Sequence, residues 1–171
     1  MSARALLLAA MALAVSTLGG CGLHPLYGSE ENKGAAGKVF DTIYVDPIQG
    51  EIAGYELRNA LIDGLHAPMR LGDAEYRLKI TITQLLQAIA VENNASITRY
   101  NYILTGKYVL TDIKGKDIKD GSESTLSAYD VVTSPYATLA AEHDAQRRSA
   151  VELAYRIQTD LAVFLSHRAG Q

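Results

Sequence analysis

Tyr76-Arg77-Leu78-Lys79-Ile80-Thr81-Ile82-Thr83-Gln84-Leu85-Leu86 sets Tyr76, Leu78, Ile80 and Ile82 on one side and Arg77, Lys79, Thr81 and Thr83 on the other. A period of two marks a half-buried strand, because successive side chains of an extended chain point to opposite faces. Thr98 to Leu110 repeats the pattern, with Tyr100, Tyr102, Leu104, Tyr108 and Leu110 against Arg99, Asn101, Thr105 and Lys107. Asn93-Asn94 between the two runs supplies turn chemistry, so the pair is expected as an antiparallel hairpin. Lys114-Gly115-Lys116 reads as a second turn. A more polar strand follows from about Ile118 to Tyr129, with Leu126 and Ala128 on its expected apolar face.

Working outward, Val39 to Val45 is rich in β-branched and aromatic residues and closes at Asp46-Pro47, which predicts a first strand. Leu57, Leu61 and Leu65 recur at a spacing of four with Arg58 and Asp63 between them, predicting an amphipathic helix that ends near Gly64 or Pro68. Ser134-Pro135 reads as N-cap and first residue of a long last helix. Leu139, Ala150, Ala154, Ile157, Leu161 and Phe164 form its apolar stripe, and Glu152 and Arg156 an i,i+4 pair. The order β-α-β-β-β-α implies an α+β two-layer sandwich: two helices packed on one face of a mostly antiparallel four-stranded sheet. The other face is left for solvent or a partner.

That second face carries the candidate binding residues. A register opposing Leu78 to Tyr108 and Ile82 to Leu104 also opposes Lys79 to Lys107, with Arg77 and Arg99 on the same side. Like charges across a pair are destabilising, so such a face has a use for anions such as phosphates. Against this, a similar register at the second turn opposes Lys107 to Glu123, which would balance the charge locally.

Composition narrows the function classes. The chain has 171 residues, one Cys and a net charge of −3. A single Cys excludes an internal disulfide framework and a cysteine-ligated zinc site. The acidic balance argues against a nucleic-acid partner. None of the four His falls in an H-E-x-x-H spacing. His143, in Glu142-His143-Asp144, reads as a helix-boundary residue rather than a metal ligand. No G-x-S-x-G elbow, P-loop or dinucleotide fingerprint is present, so no catalytic residue and no cofactor is assigned.

The Cys is informative by position. Residues 1–20 carry Arg4 as their one charged side chain, and the apolar run from Ala5 to Leu18 is shorter than a membrane span. A basic start, a short apolar stretch and small residues at its end read as a signal peptide. Its end, Leu18-Gly19-Gly20-Cys21, resembles a bacterial lipobox. That resemblance implies cleavage before Cys21 and a covalent N-acyl and S-diacylglycerol anchor on it. Gly22, which follows where a retention signal would have Asp, favours the outer membrane by the same resemblance. The organisation expected is residues 1–20 as signal peptide, 21–37 as a lipidated, Gly-rich tether and 38–169 as one domain.

Three groups of residues then resemble one family. Cys21-Gly22 leads into Pro25-Leu26-Tyr27-Gly28. A strand ends Val45-Asp46-Pro47-Ile48, with Tyr55, Leu57, Arg58 and Asn59 in the helix after it. Ser134-Pro135-Tyr136-Ala137 and Leu139-Ala140-Ala141-Glu142 lead into the long helix with Asp144-Ala145. Together they are similar to the LPS-assembly lipoprotein (LptE) family in its alphaproteobacterial form. The resemblance implies two helices on a four-stranded sheet. It implies an outer-membrane lipoprotein that plugs a large β-barrel translocon of the LptD type, assists its assembly and helps pass lipopolysaccharide to the outer leaflet. It also implies lipopolysaccharide as a ligand, for which Arg77, Lys79, Arg99 and Lys107 are candidates from alternation alone. The competing expectation is an auxiliary substrate-binding lipoprotein of an ABC-type lipid transport system, which calls for an apolar groove or cavity. A periplasmic hydrolase would need a nucleophile beside a base, and none is found.

Overall fold

The computed structural model describes residues 39–91 and 97–169. The signal peptide, Cys21, the tether and the Asn93-Asn94 turn lie outside the described residues. The elements are β1 (Ile43–Val45), α1 (Glu51–Leu65), a short 3₁₀ turn (Leu71–Asp73), β2 (Tyr76–Val91), β3 (Ile97–Asp112), β4 (Asp117–Asp130) and α2 (Pro135–Ala169). The four strands form one sheet in the order β1-β2-β3-β4. β1 runs parallel to β2, and the other two pairings are antiparallel. Both helices lie on one face, which makes the α+β two-layer sandwich that the alternation implied.

The first strand is shorter than its composition predicts. Val39 and Phe40 are helical, and Thr42 closes a turn by donating both its N–H (3.0 Å) and its hydroxyl (2.8 Å) to the Val39 carbonyl. Only Ile43 to Val45 remain to pair, with Ile43 and Val45 pointing into the core. Helix α1 runs through Gly64 and stops at Leu65. His66 adopts a left-handed conformation there, and the His66 and Ala67 N–H groups donate back to the Asp63 and Ile62 carbonyls. Gly64 is kept for packing: the Gln158 amide of α2 lies over it and donates to the Ala60 carbonyl (3.1 Å). At the start of α2, Ser134 caps as read, accepting the Ala137 N–H at 3.4 Å.

Two expected registers are corrected. Leu78 pairs with Leu110, Ile80 with Tyr108 and Ile82 with Gly106, so the β2–β3 hairpin is offset by two residues from the pairing read in the sequence. The offset sets a bulky side chain opposite a glycine and separates Lys79 from Lys107, removing a like-charge opposition. Lys79 faces Val109 instead, and Lys107 faces Thr81 on one side and Ser122 on the other.

The second correction is in β4, where the faces are reversed. Leu126 and Ala128 point to the outer face, and Thr125, Ser127 and Tyr129 point to the helices. Glu123 therefore lies opposite Gly106 on the helix side and does not balance Lys107. The reversal follows from close helix packing. The Thr125 hydroxyl donates to the Ser149 carbonyl at 3.1 Å, and the Ser149 and Ser127 hydroxyls meet at 2.9 Å. Small polar groups let α2 sit directly on the strand, where a leucine would hold it away.

The core joins Ile43, Val45, Leu78, Ile80, Tyr102, Leu104, Tyr108 and Leu110 of the sheet to Leu57, Leu61 and Leu65 of α1 and Leu153, Ile157, Leu161 and Leu165 of α2. Each such side chain contributes about 1.5–3 kcal/mol on burial. The α2 stripe is continuous from Ala145 to Leu165, whereas Leu139, expected on it, overhangs the sheet and is exposed.

Candidate functional site: the outer sheet face

The face turned away from the helices is built from the odd-numbered residues of β2 and β3 and the even-numbered residues of β4, as the pleat requires. Its rows run across the sheet and change character along the strands. Nearest β1 are Arg77 beside Thr111, then Lys79–Val109–Asp120 and Thr81–Lys107–Ser122. A hydroxyl row follows, Thr83–Thr105–Ser124, in which Thr105 and Ser124 hydrogen-bond at 3.0 Å. Then comes an apolar row, Leu85–Ile103–Leu126, and an amide row, Gln87–Asn101–Ala128. The face ends at Arg99–Asp130.

The four basic residues share this face but do not converge. Arg77 Nε donates to both oxygens of the nearly buried Asp46 carboxylate, at 2.8 and 2.9 Å. That hydrogen bond and the carboxylate's charge push the Arg77 pKa up, so its charge is already engaged. Arg99 Nη1 pairs with Asp130 at 2.8 Å across the strands. It lies about 27 Å from Lys107 along β3. Lys79 and Lys107 are exposed and form no ion pair among the described residues. An anion meeting this face finds two exposed ammonium groups in neighbouring rows, with Asp120 in the row of Lys79, and two guanidiniums already paired with carboxylates.

The apolar row was missed in the sequence. Leu85 and Leu126 are 56% and 61% exposed, more than a core side chain tolerates. The Leu85-Leu86 doublet and Ile103, set between Tyr102 and Leu104, break the alternation and are its visible signs. Leu126 gives none, because the sequence pattern sets it with Ala128 on the opposite face.

Behind the sheet, the Tyr108 hydroxyl donates to Asp160 of α2, which also pairs with Lys119 at 3.1 Å. Tyr102 donates to Gln84 at 2.9 Å. Burial, aided by the Glu142 carboxylate, pushes the Tyr102 pKa up to about 12. The Tyr108–Asp160–Lys119 contacts tie α2 to the sheet, and the Tyr102–Gln84 bond ties β3 to β2 within it. His143 lies partly buried on α2, and no cluster of three potential metal ligands occurs among the described residues. No helix among them is long and apolar enough to cross a membrane. The outer face offers hydrogen-bonding rows, one apolar row and two free cations, which is binding chemistry.

Comparison with known proteins agrees with this fold. No curated protein matches the chain significantly. Among solved structures, a protein of Caulobacter crescentus CB15 assigned as a lipoprotein is similar at 29% identity and a TM-score of 0.63, over 77% of this chain and 96% of that one. A minor lipoprotein of Acinetobacter baumannii (18% identity, TM-score 0.56, 73% and 92% covered) shares the fold. So does the rare lipoprotein B of Shewanella oneidensis (12%, 0.54, 71% and 92%). The model of the lipopolysaccharide-assembly family LptE matches residues 40–161, from the turn before β1 into the last third of α2. The chain belongs to the LptE family of lipopolysaccharide-assembly proteins.

Proposed function

We propose that this protein is anchored in the outer membrane by lipid on Cys21 and plugs a large β-barrel translocon of the LptD type, assisting its assembly and the delivery of lipopolysaccharide to the outer leaflet. The observation that carries the reading is the outer sheet face. Barrel lumens are polar. A plug needs a broad surface of hydroxyl, amide and balanced charged groups, and the Thr83–Thr105–Ser124, Gln87–Asn101 and Arg99–Asp130 rows supply one, crossed by the single apolar row Leu85–Ile103–Leu126. Lys79 and Lys107 are the residues of this face best suited to lipopolysaccharide phosphates. The role is binding and assembly rather than catalysis.

The lipobox supplies the anchor. Each buried CH₂ contributes about 0.8 kcal/mol, and one acyl chain alone holds only marginally, so the triacylated Cys21 gives lasting attachment. The alternative of a substrate-binding lipoprotein for an ABC-type transporter wants an apolar groove or cavity. The grooves beside α2, lined by Arg147, Arg148, Val151 and Glu152 and by Glu123, Tyr155, Arg156 and Asp160, are shallow and open.

Depletion of the protein in its own cells tests the proposal. The expected result is loss of one large β-barrel from the outer membrane together with loss of surface lipopolysaccharide. Normal levels of both would refute it. Replacing Cys21 with Ser should release the protein from the membrane fraction, and unchanged attachment would refute the anchor.

A further inference from the structure

The two free edges of the sheet are built differently. Along β4, Arg156 Nη1 donates to the Ser124 carbonyl (3.1 Å) and Arg148 Nη2 to the Ala128 carbonyl (3.4 Å). Glu152 and Asp144 on the same helix hold these guanidiniums in place. Charged side chains laid on an edge obstruct pairing with another chain. Along β2 the Tyr76 N–H and the Leu78 carbonyl face β1, bonding Thr42 (3.1 Å) and Asp46 (3.0 Å). β1 then ends. By the two-residue period, Gln84, Leu86 and Ala88 turn their peptide groups into the lane that β1 has left.

Among the described residues this stretch is bare. Every residue from Thr83 to Ile89 is exposed, on both faces of the sheet, and Leu86 and Ile89 are each about half exposed. From Ile80 to Val91 there is no charged residue. A long, uncharged, partly apolar edge strand is what folded proteins otherwise avoid. Here the safeguard sits on the opposite edge only.

We infer that the Gln84–Ala88 edge of β2 is a strand-addition site for an extended, uncharged segment of a partner protein. The segment pairs with the peptide groups of Gln84, Leu86 and Ala88 and lays apolar side chains against Leu85 on one face and Leu86 on the other. Main-chain hydrogen bonds supply the affinity and the alternating side-chain contacts the selectivity. A single strand suits the lane better than a second copy of the chain, because the lane is closed at one end. Gly50, at the start of α1, stands against Ile82 and accepts a bond from Gln84 Nε2 at 3.4 Å. From there to Val91 the lane is about 26 Å long. A lone segment ends at Gly50, whereas a second copy would press its own β2–β3 hairpin against that turn. The inference goes beyond the plug role and does not depend on it.

Amide-resolved hydrogen exchange tests it, on the full-length lipoprotein in solubilised membranes and again after separation from its partners. The Gln84, Leu86 and Ala88 amides should exchange at least about tenfold more slowly in the membrane preparation. The Leu85 and Gln87 amides, already facing β3, should not change. Leu86→Pro removes an edge-facing N–H without touching the β3 ladder and should abolish the protection at Gln84 and Ala88. Ala88→Lys, which sets a charge beside the apolar contact at Leu86 and leaves the edge N–H in place, should reduce the protection and serves if the proline variant does not fold. Equal exchange in both preparations overturns the inference. Protection that rises with the concentration of the isolated chain, together with a dimer mass, overturns it in favour of a second copy.

Discussion

Gly121 lies directly across the β3–β4 ladder from Tyr108, and the tyrosine ring occupies the space a side chain would need. A Cβ on Gly121 would stand 2.3 Å from the Tyr108 hydroxyl and 2.4 Å from Cζ. The bare backbone lets the ring cross β4 and tie Asp160 of α2 to the sheet. Gly121→Ala should therefore destabilise the fold by about 1–3 kcal/mol, the usual cost of overpacking. Urea unfolding should show a lower midpoint. Gly72→Ala, with nothing within 4 Å, is the control and should leave the midpoint in place.

Gly64 and Gln158 are coupled so that the amide masks the gain expected from replacing a helical glycine. A Cβ on Gly64 would lie 2.1 Å from Gln158 Nε2, so Gly64→Ala displaces the amide from the Ala60 carbonyl. That loss of about 1 kcal/mol offsets the gain of about 1 kcal/mol from replacing a helical glycine. The single variant should be close to neutral. In a Gln158→Ala background the same change should stabilise by about 1 kcal/mol. Additive behaviour in the double-mutant cycle would show that the two do not touch.

Stability should fall at high pH. Burial raises Tyr102 to about 12, so the folded protein keeps a proton that the unfolded chain loses near pH 10. The contribution is complete below pH 10 and disappears as pH rises toward 12. Tyr108 is pushed in the same direction, chiefly by burial and then by Asp160. Tyr102→Phe should flatten the decline in unfolding midpoint over that window. A slope identical to that of the parent would contradict the assignment.

Lys79→Glu combined with Lys107→Glu should weaken binding of purified lipopolysaccharide about tenfold or more at low salt, at roughly 1 kcal/mol per lysine. Arg99→Gln should do less, because Asp130 already balances that charge. Equal losses from the two changes would mean that the free ammonium groups are not the contact.

The sequence disclosed elements whose signals are local. Ser134 and Pro135 announced α2, the Leu57, Leu61 and Leu65 spacing announced α1, and alternation announced β2 and β3 with the correct inner faces. It did not disclose relations decided between elements. The β2–β3 offset rests on Gly106 and on keeping Lys79 from Lys107, which no single strand reveals. In β4, Leu126 and Ala128 look like the apolar side in sequence, while contact with Ser149 of α2 requires Thr125 and Ser127 there. That pattern hides the Leu85–Ile103–Leu126 row. The candidate basic residues were located on the correct face, but the ion pairs of Arg77 with Asp46 and Arg99 with Asp130 appear only in three dimensions.

The central claim is that this chain works inside a β-barrel partner. Affinity purification of the full-length lipoprotein from detergent-solubilised outer membranes, after crosslinking through residues introduced at Thr83 and Thr105 on the outer face, tests it most directly. The account predicts one large β-barrel protein recovered in about equal amounts, with crosslinks mapping to its inward-facing residues. Recovery of the lipoprotein without any β-barrel, or crosslinks only outside a barrel lumen, would contradict it.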